Sequence, residues 1–225
     1  MRLKLTAVLF DLDGTLFDTA PDLIFAANSA LAAVDIPPRP DTELRPCISG
    51  GAAAMLRCAL TDIERQGIDF DRLLHDMLER YQTHVADRTH YYDGMEAVLE
   101  ELENLGLPWG IVTNKTSRFT DPLLKAFNLA ERPRCVISGD TMPEKKPHPL
   151  PLLEAARRMA QAPENCVYVG DAVHDMKAGQ RAGMTTLAAL YGYIGENDDP
   201  TAWGADGLLR KPRDLLDWLQ GDCHP

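Results

Sequence analysis

Asp11 and Asp13 stand two residues apart at the end of the apolar run Ala7-Val8-Leu9-Phe10, with Gly14 and Thr15 directly behind them. A buried strand delivers its last residues to the carboxyl edge of a sheet, where open α/β proteins bind their ligands. In a continued strand the two carboxylates face one side. They then repel unless a cation sits between them, and a hard, oxygen-seeking ion such as Mg2+ meets that need. The same residues also make an ordinary strand-to-loop turn, so both readings stand at this point.

Three later segments carry polar groups at the ends of apolar runs. Gly110-Ile111-Val112 ends in Thr113-Asn114, a hydroxyl and an amide that suit a phosphate oxygen or a plain helix entry. Lys145-Lys146-Pro147-His148-Pro149 precedes a helical pattern. The proline holds Lys146 extended, which aims its ammonium inward or leaves it in a solvated charge pair. Val167-Tyr168-Val169-Gly170-Asp171 is followed by Asp175, and i,i+4 spacing puts the two carboxylates on one face if a helix starts there. His148 and His174 read as polar rim residues, because Mg2+ prefers oxygen; His75, His84, His90 and His224 have no ligand spacing.

Elements that would position these groups follow from periodicity. Strands are predicted at Ala7 to Phe10, Trp109 to Val112, Cys135 to Ser138, Val167 to Val169 and Thr185 to Ala189, with a weaker one at Gly207 to Leu209. Helical periodicity lies between them: Met95, Val98, Leu99, Leu102; Phe119, Leu123, Leu124, Phe127; Leu152, Leu153, Ala156, Met159. Alternating strands and helices imply a parallel sheet covered on both faces. Residues 16–90 break the alternation, with helical patterns at Leu23, Ile24, Ala27, Leu31 and at Leu74, Met77, Leu78, Tyr81, Val85, and no convincing strand. Pro37, Pro38 and Pro40 separate the first helices of this insert. Rooted at the carboxyl edge, it is expected to act as a lid. The fold class is therefore α/β, a Rossmann-like parallel sheet core (residues 1–15 and 91–225) with an inserted helical cap domain (16–90).

The 225 residues suit this plan, and 45% apolar with 25% charged composition is ordinary for a globular protein. A net charge of -11 argues against nucleic acid or an anionic membrane as partner. No stretch approaches membrane-span length, and Asp11 cuts the N-terminal apolar run too early for a signal peptide. Cys47, Cys58, Cys135, Cys166 and Cys223 are odd in number and scattered, and read as reduced thiols of a cytoplasmic protein. Oligomeric state is not legible.

DxDGT, a strand-terminal Thr-Asn, KPxP and GDxxxD, in this order and each at a strand end, resemble the haloacid-dehalogenase-like hydrolase superfamily over nearly the whole chain. The resemblance implies a Mg2+-dependent phosphomonoester hydrolase working through an aspartyl-phosphate. Asp11 would be the nucleophile and Asp13 the general acid and base. Mg2+ would be held by the Asp11 carboxylate, the Asp13 backbone carbonyl and Asp171. Thr113, Asn114 and Lys146 would bind the phosphoryl group, Lys146 also pairing with Asp11, and Asp175 would orient water or Lys146. Dehalogenases of this fold lack the second aspartate, so Asp13 favours phosphate chemistry. A sugar-phosphate mutase shares all four motifs, and a silent phosphate-binding module has no need of Asp13.

The partner expected is a small phosphorylated molecule. Its choice is assigned to the insert: Ser49, Gly50 and Gly51 put backbone amides at a helix N-terminus, and Arg57, with Arg45, suits a carboxylate. Small bacterial phosphoglycolate phosphatases look similar throughout. The Ile48-Ser49-Gly50-Gly51 loop, Tyr191-Gly192-Tyr193-Ile194 and Trp203-Gly204-Ala205-Asp206 more closely resemble N-acetylmuramic acid 6-phosphate phosphatases of cell-wall recycling. Tyr191 and Tyr193 would then wall a roomy pocket.

Overall fold

A computed structural model of the chain describes residues 5–195 and 198–221. Cys223 and His224 lie outside the described residues. The chain divides into two compact units, Met1–Asp18 with Tyr91–Pro225, and Thr19–His90.

In chain order the elements are β1 (Ala7–Phe10), β2 (Phe17–Asp18), α1 (Ala20–Ala32), α2 (Asp41–Leu44), a 3-10 turn (Arg45–Gly50), α3 (Ala52–Ala59), α4 (Asp62–Gln66), α5 (Phe70–Thr83), β3 (His90–Tyr91), α6 (Met95–Asn104), β4 (Trp109–Val112), α7 (Ser117–Ala126), β5 (Val136–Ile137), α8 (Leu150–Arg158), β6 (Cys166–Gly170), α9 (Val173–Ala182), β7 (Thr185–Ala189), β8 (Gly207–Leu209) and α10 (Asp214–Gln220).

The first unit holds a six-stranded sheet in the order β5-β4-β1-β6-β7-β8 with every pairing parallel. From β1 the chain builds outward through β4 and β5, then returns to set β6 against the other side of β1. That reversal opens a crevice between the carboxyl ends of β1 and β6, where ligands bind in such sheets. β1, β4 and β6 are buried throughout, as continuous apolar strands between helical layers must be. Met95, Val98, Leu99 and Leu102 face the core as their spacing requires. On α8, Leu153 is exposed and Ala155 takes the core position instead. The buried stripe of α8 thus runs through Leu152, Ala155, Ala156 and Met159, with Leu153 at its edge.

The first unit includes Leu16, Phe17 and Asp18, and Phe17 packs against the rings of Tyr91 and Phe127, with centroids 4.6 and 4.5 Å away. Phe17–Asp18 also pairs with His90–Tyr91 as a two-stranded ribbon where the chain leaves and returns, a pairing too short to leave a periodic signal.

The second unit is helical. Leu23, Ile24, Ala27 and Leu31 of α1 and Leu73, Met77 and Tyr81 of α5 are buried, so the α5 stripe sits one residue ahead of Leu74 and Leu78. α1 ends before the prolines, and Pro40 caps α2. Asp22, buried in the first turn of α1, accepts the backbone N–H groups of Arg88 and Thr89 at 2.8 to 3.0 Å and so ties the end of the insert to its start. Cys47 and Cys58 form a disulfide with Cα atoms 6.7 Å apart, which corrects the expectation of reduced thiols at these two positions. The 3-10 turn and α3 fold back on one another and bring the two together, a proximity that eleven residues of spacing do not reveal. Cys135 and Cys166 are free and buried in the first unit.

Candidate active site

The strand β1 stops at Phe10, and the chain turns at once. The carbonyl of Leu12 accepts N–H groups from Thr15, Leu16 and Phe17, and Gly14 adopts φ +79. The strand therefore does not continue through Asp13, and the pleat that would put Asp11 and Asp13 on one face is absent there. Each carboxylate has its own lysine.

Asp11 meets Lys146, whose Nζ lies 2.8 Å from Asp11 Oδ1, 2.7 Å from Asp175 Oδ1 and 2.8 Å from the Tyr168 hydroxyl. The fully buried ammonium is thus ion-paired with both carboxylates and donates a hydrogen bond to the hydroxyl. Burial alone would depress the Lys146 pKa, but the Asp11 and Asp175 carboxylates outweigh it and raise the value. Burial raises the Asp11 pKa despite the lysine. For Asp175 burial acts in the same direction, but Lys146, with hydrogen bonds, wins and lowers it.

Asp175 opens α9 and accepts the Ala172 N–H through Oδ2. α9 starts at Val173, so Asp171 lies on the loop after β6 rather than one turn away on a shared helical face. Asp171 is buried and accepts the Tyr193 backbone N–H at 2.8 Å. Burial, then the charges of Asp175 and Asp11, push its pKa well above the usual carboxylate range. Gly14 and Gly192 make room for it: a Cβ at either position would collide with the Asp171 side chain.

Thr113 is buried at the end of β4, and its Oγ1 accepts the Lys115 N–H at 3.2 Å. The Asn114 side chain is bonded on both sides to the backbone of Lys146, so its part in the site is to place that lysine. Pro147 follows through a cis peptide bond, and the Arg181 guanidinium donates to its carbonyl. His148 accepts the Leu150 N–H at the start of α8. His174, read as a rim residue, is half-buried and groups with Asp11 and Asp175, their ligand atoms all within 4.8 Å.

Sequence reasoning missed two contributors, Lys115 and Tyr168, and gave a third, Tyr193, a different part. Lys115 places Nζ 2.8 and 3.0 Å from the two carboxylate oxygens of Asp13. Tyr168 brings a hydroxyl from inside β6 to Lys146, Asp175 and the Val112 carbonyl; a lone hydroxyl in Val-Tyr-Val-Gly was the available signal. Tyr193 is buried with its hydroxyl on Asp18 and its N–H on Asp171, so it braces the site instead of walling a pocket. The Tyr191 hydroxyl is buried without a hydrogen-bond partner among the described residues.

Asp11, Asp13, Thr113, Asn114, Lys146, Asp171 and Asp175 thus gather at the carboxyl ends of β1, β4 and β6. A haloacid dehalogenase-like hydrolase family model matches residues 8–189. The chain belongs to that family. It is 40% identical over 218 residues to an N-acetylmuramic acid 6-phosphate phosphatase of Pseudomonas aeruginosa, covering 97% of this chain and 96% of the relative. It is 42% identical over 209 residues to a phosphoglycolate phosphatase of Xanthomonas campestris, covering 93% and 94%. Among solved structures, a predicted phosphoglycolate phosphatase of Haemophilus somnus superposes with a TM-score of 0.84 at 26% identity, over 96% of this chain and 98% of that one.

The remaining predicted residues, Ser49, Gly50, Gly51 and Arg57, belong to the second unit. Ser49 and Gly50 end the 3-10 turn, Gly51 precedes α3 at φ +82, and the Arg57 guanidinium lies 5.2 Å from the centre of the Phe70 ring.

Proposed function

We propose that this hydrolase cleaves a small, carboxylate-bearing phosphomonoester, most closely N-acetylmuramic acid 6-phosphate, through an aspartyl-phosphate on Asp11. The observation that carries the reading is the Lys146 ammonium shared between Asp11 and Asp175 beside the buried acid Asp171. Lys146 neutralises charge on a transferring phosphoryl group and keeps Asp11 directed at phosphorus. Thr113 and Asn114 are assigned to the phosphoryl oxygens, Thr113 through its hydroxyl and Asn114 through its backbone N–H, since its side chain is committed to Lys146. Asp13 is assigned the proton transfers.

The donor set fits a divalent cation. Asp171 is held ready by the Tyr193 N–H in a space that two glycines keep clear, and its pKa is raised by burial first and by the Asp175 and Asp11 charges next. Asp11, Asp171 and the Asp13 carbonyl would hold Mg2+, which favours oxygen. Asp175 is committed to Lys146, Tyr168 and Ala172. The ion would supply charge neutralisation and a fixed template for the phosphate.

Relatives named for both substrates stand at similar identity, so the choice rests on the Ile48–Gly51 and Tyr191–Ile194 segments. Selection of the alcohol is assigned to Ser49, Gly50, Gly51 and Arg57. The test is a comparison of kcat/KM for N-acetylmuramic acid 6-phosphate, phosphoglycolate and glucose 6-phosphate with Mg2+, using wild type and Asp11→Asn. The muramic acid ester is expected to lead, and Asp11→Asn to be inactive. A preference for phosphoglycolate above about tenfold, some 1.4 kcal/mol of transition-state binding, reverses the ranking. Release of glucose without phosphate transfer to a second sugar excludes a mutase.

A further inference from the structure

We propose that Lys115 is the positioning residue for Asp13, fixing the carboxylate from which the acid and base steps are made. The inference rests on the assignment of those steps to Asp13.

Lys146 is already engaged by Asp11, Asp175 and the Tyr168 hydroxyl, which leaves pairing with Asp13 to another cation. The second lysine occupies that role. Its side chain is only 6% exposed, although a lysine of an acidic protein ordinarily keeps its ammonium in water. Burying it is offset by the ion pair it makes, with both Asp13 oxygens within 3.0 Å. The base of the side chain is fixed as well: the Lys115 N–H goes to Thr113 Oγ1, and its carbonyl accepts the Gly139 N–H at 2.7 Å. Lys115 therefore projects from the carboxyl end of β4 at a set angle and links the Thr113 end of the site to the turn after β1.

The arrangement suits a group that changes protonation twice. In the first step the Asp13 acid gives its proton to the leaving oxygen while the P–O bond breaks and the Asp11–phosphorus bond forms. In the second, the Asp13 carboxylate takes a proton from water as the water oxygen bonds to phosphorus and the Asp11 bond breaks, restoring the acid. Lys115 takes no part in either transfer. It can hold one Asp13 oxygen while the other carries the moving proton, so the carboxyl group need not search for its orientation in either step.

A leaving group that needs no proton separates this role from phosphate binding. With Lys115→Met, kcat/KM for N-acetylmuramic acid 6-phosphate is expected to fall by about 10²-fold, the scale of general acid catalysis. kcat/KM for p-nitrophenyl phosphate should change less than about threefold, because its phenolate leaves unprotonated. Its kcat should nonetheless drop and a burst of one equivalent of p-nitrophenolate appear, since hydrolysis of the intermediate still needs the base. Asp13→Asn should give the same split, and Lys115→Arg should recover part of the loss. Equal losses of kcat/KM on both esters, or no loss on either, overturn the proposal. Should Lys115→Met fail to fold by circular dichroism, Lys115→Gln is read by the same split. A wild type inactive on both esters with Mg2+ overturns the phosphatase reading itself, an outcome distinct from a failed split in an active enzyme.

Discussion

The Asn114 side chain clasps the backbone of Lys146 from both sides, its Nδ2 donating to the Lys146 carbonyl and its Oδ1 accepting the Lys146 N–H, each at 3.0 Å. Residues 32 apart in sequence are joined as if they were paired in a sheet. The lysine backbone cannot then drift while its ammonium bridges Asp11 and Asp175.

Asn114→Ala removes both bonds without touching a charge. Activity is expected to fall by roughly 10- to 100-fold, as when a supporting contact to a site residue is lost. The loss should lie mainly in kcat, because the phosphoryl-binding groups remain but Lys146 is no longer held. Two buried backbone groups lose their partners, at about 1 to 3 kcal/mol each if water cannot replace them. Steady-state kinetics and urea unfolding check the two effects separately.

Gly14 and Gly183 have nearly the same positive φ, +79 and +75, and only one stands against the site. At Gly14 a methyl group would strike the Asp171 carboxylate, whereas at Gly183, after α9, nothing lies within 4 Å. Both Gly→Ala variants should lose about 1 to 2 kcal/mol from backbone strain. Only Gly14→Ala should also lose activity and Mg2+ binding. Comparable kinetics in the two variants would remove Asp171 from the proposed metal set.

Most of the fold was legible because parallel central strands are continuous apolar runs: Ala7–Phe10, Thr185–Ala189 and Gly207–Leu209 have the bounds their sequence predicts. Three of the motifs were legible for the same reason, each being the polar end of such a run, whereas Lys146 sits well beyond the end of β5 at Ile137. Lys115 was not, since a lysine after Thr-Asn has nothing in its neighbours to mark it as buried. Its partner is 102 residues earlier. Asp22 carries no signal in the sequence either, yet it is the buried tie for the end of the insert. Such pairings depend on chain reversals that local periodicity does not encode.

Asp171 should cost stability when no cation is bound. Its folded-state pKa is raised, by burial first and neighbouring carboxylates next, so ionising it costs more in the folded protein than in the unfolded chain. The folded state then binds a proton more tightly than the unfolded chain, and this contribution improves as pH falls through the raised value toward the ordinary 3.8. Asp171→Asn keeps an acceptor for the Tyr193 N–H and removes the charge. In EDTA at pH 7.5 its Tm should exceed that of the wild type, each 1 kcal/mol appearing as about 2 to 4 °C, and the gap should narrow as the wild type is acidified. Adding Mg2+ should reverse the order, since a ligand at 100 times its Kd contributes about 2.7 kcal/mol to the protein that binds it. A lower Tm for the variant in EDTA refutes the argument.

The cysteines divide into a bonded pair and two shielded thiols. Burial pushes Cys135 and Cys166 up to about 11, so at pH 8 roughly one part in 10³ of each is thiolate. Cys58 is exposed and Cys47 half-buried, but both are joined in the disulfide. A Cys223→Ser variant should therefore show no fast reaction with Ellman's reagent at pH 8, two thiols when unfolded in guanidine, and two fast thiols in the native state after a dithiol reductant. Reduction reopens the short loop from 47 to 58, and the chain-entropy account assigns its closure about 3 kcal/mol. The urea midpoint should fall accordingly, and Cys47→Ser should lower it to the same place and make it insensitive to reductant. Two fast thiols before any reductant is added would instead mean that the pair is open, with the 3-10 turn and α3 held by packing around buried Ile48, Met55 and Leu56.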